Sequence, residues 1–116
     1  MKDDRLYLIH ITECIARIEE YTAGGSDAFF GDRKTQDAVV RNLQTLAEST
    51  RRLSEAVKLS RPDVDWRAIA GFRNVAVHYY LGIDAKRIWH IVEHDLPDLK
   101  SKIAAVLASL QIRSSE

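Results

Sequence analysis

Arg73-Asn74-Val75-Ala76-Val77-His78-Tyr79-Tyr80 is the stretch on which the reading of this chain turns. It sets a fixed cation, an amide, an imidazole and two phenols into otherwise apolar, helix-forming sequence. At about 100° per residue, a continuous helix puts Asn74 and His78 on one face, with Arg73 on its flank. Tyr80 falls well around from His78 unless the helix stops there. Gly82 followed by Asp84 predicts a stop near His78, with Asp84 capping the next helix. The polar groups then converge at a helix end, where a ligand can reach them.

These groups suit one chemistry in particular. The planar guanidinium of Arg73 matches two phosphate oxygens at once. A neutral imidazole takes a proton from a ribose 2′-hydroxyl near neutral pH, and its protonated form returns one to a leaving oxygen. Together they make a minimal kit for cutting an RNA phosphodiester without a metal. The spacing is also compatible with a plainer arrangement, in which Arg73 pairs with a buried acid and His78 is a core or helix-end histidine.

Outward from this stretch the chain reads as helix in both directions. Residues 3–22 carry Leu6, Ile9, Ile15 and Ile18 near helical spacing, widened by Ile11 and Cys14, with Glu13, Arg17 and Glu20 toward water. Thr22-Ala23-Gly24-Gly25-Ser26 breaks that helix, and Phe29 and Phe30 anchor a short connection. A long second helix is expected from about Lys34 to Ser60, with Val39, Leu43, Leu46, Leu53 and Val57 on its apolar side. It holds no Pro or Gly, so nothing local forces a kink. Arg61-Pro62-Asp63-Val64 ends it, and Asp65 caps a third helix with Trp66 in its first turn and Ile69 and Phe72 inward. Gly71, which costs about 1 kcal/mol relative to Ala within a helix, suggests close approach by another helix just before Arg73. A fourth helix follows Asp84 with Ile88, Trp89, Ile91 and Val92; Pro97 breaks or restarts it, and a last helix runs through Leu99, Ile103, Val106, Leu107 and Leu110. No strand of convincing length is present. The expected fold is all-α, a bundle of about five helices forming one domain over residues 1–116.

Composition narrows the setting. A single cysteine, Cys14, excludes an intramolecular disulfide and fits a reducing compartment. The opening Met1-Lys2-Asp3-Asp4-Arg5 leads into no long apolar run, so no signal peptide, membrane span or membrane partner is expected and the chain reads as cytoplasmic. Net charge is zero, which argues against indiscriminate nucleic-acid binding. Its distribution is uneven. Residues 1–32 hold three Lys/Arg against seven Asp/Glu, whereas residues 33–73 hold nine against five. The basic stretch leads into Arg73, where a local positive field can attract a polyanion; two solvated helix faces that attract each other fit equally well.

A second constellation competes for attention. His90-Ile91-Val92-Glu93-His94 spells H-x-x-E-H, in which two imidazoles one turn apart can share a zinc ion and the Glu can activate water. The residues that follow read as a closing amphipathic helix rather than a source of a third ligand. Packing beside Trp89 and Ile91 is therefore the expected role of His90 and His94, and no metal is expected.

Arg73-x4-His78-x-Tyr80, followed by Ile83-Asp84 and Trp89, resembles the motif of the HepT-like toxins of the HEPN superfamily. Asp37 to Leu43, Glu48, and Trp66 ahead of Gly71-Phe72-Arg73-Asn74 extend the resemblance over most of the chain, to about Ile103. The resemblance implies a HEPN-like helical protomer, a homodimer with a composite active site, and metal-independent cleavage of RNA (tRNA or mRNA) with no cofactor. It implies that Arg73 and His78 carry catalysis and that Asn74 supports them, with Glu48 a further supporting residue. It also implies a partner, a minimal nucleotidyltransferase antitoxin of a type VII-like system, which silences the toxin by adenylylating Tyr80 and can join it in a larger hetero-oligomer. Ala47-Glu48-Ser49 stands where the family commonly reads Gly-Glu-Ala; Glu48 is kept, which points to altered packing rather than lost chemistry. The alternative is a non-catalytic helical module that uses the same residues only to hold RNA or a nucleotide.

Overall fold

The computed structural model describes residues 2–82 and 85–115, and every regular element among them is helical. Helices α1 (Lys2–Tyr21) and α3 (Arg33–Arg51) form its centre. Asp4 meets Ser54 and His10 meets Ser49, so the two helices run antiparallel. Leu8, Ile11, Ile15 and Ile18 of α1 and Val39, Val40, Leu43 and Leu46 of α3 are shut off from solvent in one cluster. Each such side chain contributes roughly 1.5–3 kcal/mol by leaving water, so this pair dominates the core. Leu6, expected on the apolar stripe, is 62% exposed. Leu8 takes its place because 8, 11, 15 and 18 keep helical register and position 6 points away from them.

The expected second helix is two helices. α3 ends at Arg51, and α4 (Glu55–Ser60) starts anew after a turn. Ser54 caps α4 by accepting from the Val57 amide. Buried Asp4 of α1 takes both the Ser54 amide and the Ser54 hydroxyl at 2.8 Å. A carboxylate fifty residues away in sequence thus supplies the acceptor that makes a helix start here favourable. Trp66 then closes α4 from below, its indole N–H donating to the carbonyls of Lys58 and Arg61.

Between α1 and α3, Ser26–Phe30 form a short helix, α2. Phe29 is buried with its ring 5.2 Å from that of Trp89, while Phe30 is 43% exposed. α5 (Trp66–Ala70) is capped as expected by Asp65, which accepts from the Ala68 amide, and α6 (Phe72–Tyr80) follows after Gly71. The crowding at Gly71 comes from the preceding turn rather than from another helix: a Cβ there would meet the Ala68 carbonyl oxygen at 3.1 Å.

α7 (Ala85–His90) leads through a π-helical segment, Ile91–Asp95, into α8 (Leu96–Ser115). Pro97 therefore sits in the first turn of α8, where its missing N–H has no ladder partner to lose. The widened turn lies immediately ahead of the ring, at the carbonyls that the proline cannot serve. α8 packs along α1, with Lys100 on Glu19 at 3.0 Å. No helix of the described residues is long and apolar enough to cross a membrane. Asp84, the expected cap of α7, lies outside the described residues.

Candidate active site

α6 has two unlike faces. Phe72, Val75, Ala76 and Tyr79 are buried, and α6 packs against α3. The Tyr79 hydroxyl donates to Asp37 at 2.7 Å and lies 3.4 Å from the side-chain oxygen Oε1 of Gln36. Gln36 in turn donates to the carbonyls of Phe29 and Phe30, so one α3 side chain ties α2 and α6 together. Burial first, and then the Asp37 carboxylate beside it, push the Tyr79 phenol up to about 12. Tyr79 thus remains a neutral donor that fixes the position of α6.

The opposite face is an exposed strip of Arg73, Asn74, Val77, His78 and Tyr80, continued by Leu81. Helical projection places Val77 at its middle, with Arg73 and Tyr80 along one edge and Asn74 and His78 along the other. Val77 and Leu81 are 52% and 68% exposed, an apolar centre between polar edges. The side chains of Arg73, Asn74 and His78 make no hydrogen bond or ion pair among the described residues. Among the described residues, the plainer arrangement of Arg73 paired with a buried acid therefore does not occur. His78 is not a core histidine either.

The helix does not stop at His78. It runs to Tyr80, and Gly82, at φ +84°, donates to the Tyr79 carbonyl at 2.8 Å to close it. Tyr80 is consequently about 160° around from His78 and two turns beyond Arg73, on the Arg73 edge. Its ring packs edge-on against Tyr79, and its hydroxyl donates to Gln44 Oε1 at 3.2 Å. Arg73 and His78 are themselves about 140° apart, so one protomer alone separates them across the strip.

Glu48 is not brought to that strip. Its carboxylate accepts from Arg51 at 2.8 Å and from Arg52 at 3.4 Å, and the Arg51 hydrogen bond above all holds its pKa below the usual carboxylate range. It lines a cleft of about 470 Å³ between α1 and α3, together with Tyr7, His10, Arg41 and Gln44. The departure at Ser49 has a structural partner there: its hydroxyl lies 2.7 Å from His10 Nδ1. Sequence reading missed Gln44, His10 and Arg41 as members of this cleft. Positions 41, 44, 45, 48 and 52 do share one helical stripe, but only the docking of α1 reveals what faces it.

His90 and His94 are exposed rather than packed into the core. Their ring centroids lie 4.6 Å apart with the planes tilted by 38°, and His94 pairs with Glu93 at 3.1 Å. The described residues gather no third imidazole, thiol or carboxylate around them in a group able to hold a metal ion.

With this geometry in view, comparison with known proteins decides the family. A family model described as HepT-like ribonuclease matches residues 11–106. The chain belongs to the HepT-like ribonuclease family. Ribonuclease is the activity that membership assigns, on an all-α HEPN-like fold. The chain is 37% identical over 97 residues to a Thermococcus cleftensis protein described as a probable ribonuclease HepT, covering 83% of this chain and 88% of that one. It is 26% identical over 122 residues to the mRNA nuclease HepT of Shewanella oneidensis, covering 84% of this chain and 91% of that one. A Methanocaldococcus jannaschii protein, whose description pairs gamma-glutamylcyclotransferase with RNase, is 34% identical over 110 residues. That match covers 94% of this chain, which spans only half of the relative's length. No solved structure matches the chain.

Proposed function

We propose that this HepT-like ribonuclease is a metal-independent endoribonuclease toxin whose reaction runs on the exposed strip of α6. The observation that carries this reading is the state of Arg73: an exposed cation with no partner among the described residues, on the same strip as an unpartnered His78. Because these two side chains diverge, the active site is composite. A second copy packed on the apolar centre at Val77 and Leu81 brings its own Arg73 and His78 to the seam. A phosphate held there meets the cation of one chain and the imidazole of the other, with Asn74 beside the imidazole.

Neutral His78 takes the proton of the ribose 2′-hydroxyl as the 2′-oxygen attacks phosphorus. The bond from phosphorus to the 5′-oxygen breaks, and that oxygen takes a proton from an imidazolium. Arg73 stabilises the charge that builds on the phosphate oxygens. The products carry a 2′,3′-cyclic phosphate and a 5′-hydroxyl.

Control falls to Tyr80. A minimal nucleotidyltransferase antitoxin, bound to the dimer as a hetero-oligomer, directs the Tyr80 oxygen onto the α-phosphorus of ATP; pyrophosphate leaves and the phenol proton goes to solvent. The adduct removes the donor to Gln44 and adds a phosphodiester charge on the Arg73 edge, where substrate phosphate would pair. The test uses RNA carrying a single 2′-deoxy substitution at the mapped cleavage position, in EDTA. Cleavage of the all-ribose strand, with protection at the substituted position, is the expected result. Cleavage at the deoxy position, or an absolute need for a divalent ion, would overturn the mechanism. For the switch, incubation with the neighbouring nucleotidyltransferase and ATP should add AMP to Tyr80 and stop cleavage. A Tyr80→Phe protein that is still silenced would place the switch elsewhere.

A further inference from the structure

The cleft between α1 and α3 lies off the strip of α6, yet the two are joined. The Tyr80 hydroxyl on the Arg73 edge donates to Gln44, and Gln44 lines the cleft. Arg73 is two turns back along α6, about 10 Å along its axis. A surface therefore runs from Arg73 past Tyr80 into the cleft.

Within the cleft, Arg41 is exposed and its guanidinium has no hydrogen bond or ion pair among the described residues. Arg52 is held by the Tyr7 phenol and by Glu48, which keep its pKa above the ordinary arginine value. Glu48 is already shared between Arg51 and Arg52, which leaves Arg41 uncompensated. Tyr7 and His10, both half-buried and one turn apart on α1, supply flat rings, and Ser49 fixes the imidazole. A free guanidinium beside two rings and an amide is the set that takes a single-stranded nucleotide: phosphate on the cation, base on a ring, base edge on the amide. The volume of about 470 Å³ suits one such unit. The cavity between α5 and α8, about 350 Å³, is lined instead by Asp65, Asp95 and Asp98, and its one lysine, Lys102, is paired with Asp98.

We propose that the α1–α3 cleft is a subsite for a nucleotide of the RNA strand flanking the bond cleaved at α6. The proposal rests on the reading that RNA is cut at α6, and it adds a place where the neighbouring strand is gripped.

The experiment titrates a short fluorescein-labelled single-stranded RNA into the full chain carrying His78→Ala, followed by anisotropy at several salt concentrations. Adding Arg41→Gln should weaken binding about tenfold and lower the slope of log Kd against log salt by about one. Arg41→Lys should restore that slope. Lys100→Gln, which removes one charge from α8 instead, should change neither, and circular dichroism should show the same helix content throughout. In the protein with His78 intact, Arg41→Gln should raise KM with little change in kcat. Arg41→Gln behaving like Lys100→Gln, or no measurable RNA binding at all, would overturn the subsite. The two readings fail separately. A wild-type protein that cleaves RNA with a KM indifferent to Arg41 sinks only the subsite. A protein that binds RNA through Arg41 but never cleaves it sinks the catalytic reading and leaves the cleft only as a place that grips RNA.

Discussion

The exposed strip of α6 and the π segment ahead of α8 offer solvent similar side chains in opposite states. There, His94 of the π segment sets its ring against that of His90 at the end of α7 and takes up Glu93. On α6, Arg73 and His78 have no partner among the described residues and flank exposed valine and leucine. Both regions spell a catalytic signature in sequence. The difference teaches that a signature is weighed by what its groups leave unmet: paired charges have spent their interaction locally, whereas an unpaired guanidinium beside an apolar seam still has phosphate and a second chain to bind.

The sharpest way to break this comparison is kinetic. Arg73→Ala and His78→Ala should each lower RNA cleavage by ~10²–10⁴, the usual cost of losing a positioned acid, base or charge. Melting temperatures should barely move, because both side chains are exposed. His90→Ala and His94→Ala should leave cleavage close to wild type. A collapse of activity in the His90 and His94 variants, with the α6 variants active, would reverse the assignment.

A second measurement addresses the apolar centre of the strip. Val77→Glu places a like charge in both copies at the proposed seam. Sedimentation should shift from dimer toward monomer, and cleavage should fall with it. A monomeric wild-type protein of full activity would remove the composite site altogether.

Smaller effects belong to the supports of the two regions. Asp4→Ala leaves the Ser54 amide without its acceptor and should cost about 2 kcal/mol by urea unfolding, since a half-buried donor loses its partner. Tyr79→Phe should cost about 1 kcal/mol at neutral pH through the lost bond to Asp37. The pH dependence has a defined sign. The folded phenol is pushed up to about 12 from an ordinary value of 10.0, so its contribution is complete below about pH 10 and is lost as pH rises through about 12. The difference in stability between wild type and Tyr79→Phe should shrink across that window, and a difference that stays constant would place the phenol in a different environment.

Much of this molecule was legible in its residues. Helical periodicity gave the all-α class, because apolar side chains at 3.6-residue spacing leave one stripe to bury. Asp65 as a cap and Gly82 near a helix end were legible because cap and turn chemistry is local. The Arg73-x4-His78-x-Tyr80 pattern pointed to the family. Tertiary structure decided what depended on distant partners. Nothing between Lys34 and Ser60 foretold the break after Arg51, because the acceptor that favours it is Asp4 on another helix. Continuation of α6 past His78 moved Tyr80 to the Arg73 edge, and its bond to Gln44 exists only because α6 docks on α3. The α1–α3 cleft likewise has no signature along the chain. Its residues come from two antiparallel helices, and helical spacing fixes which side chains share a stripe but not which stripe of another helix they meet.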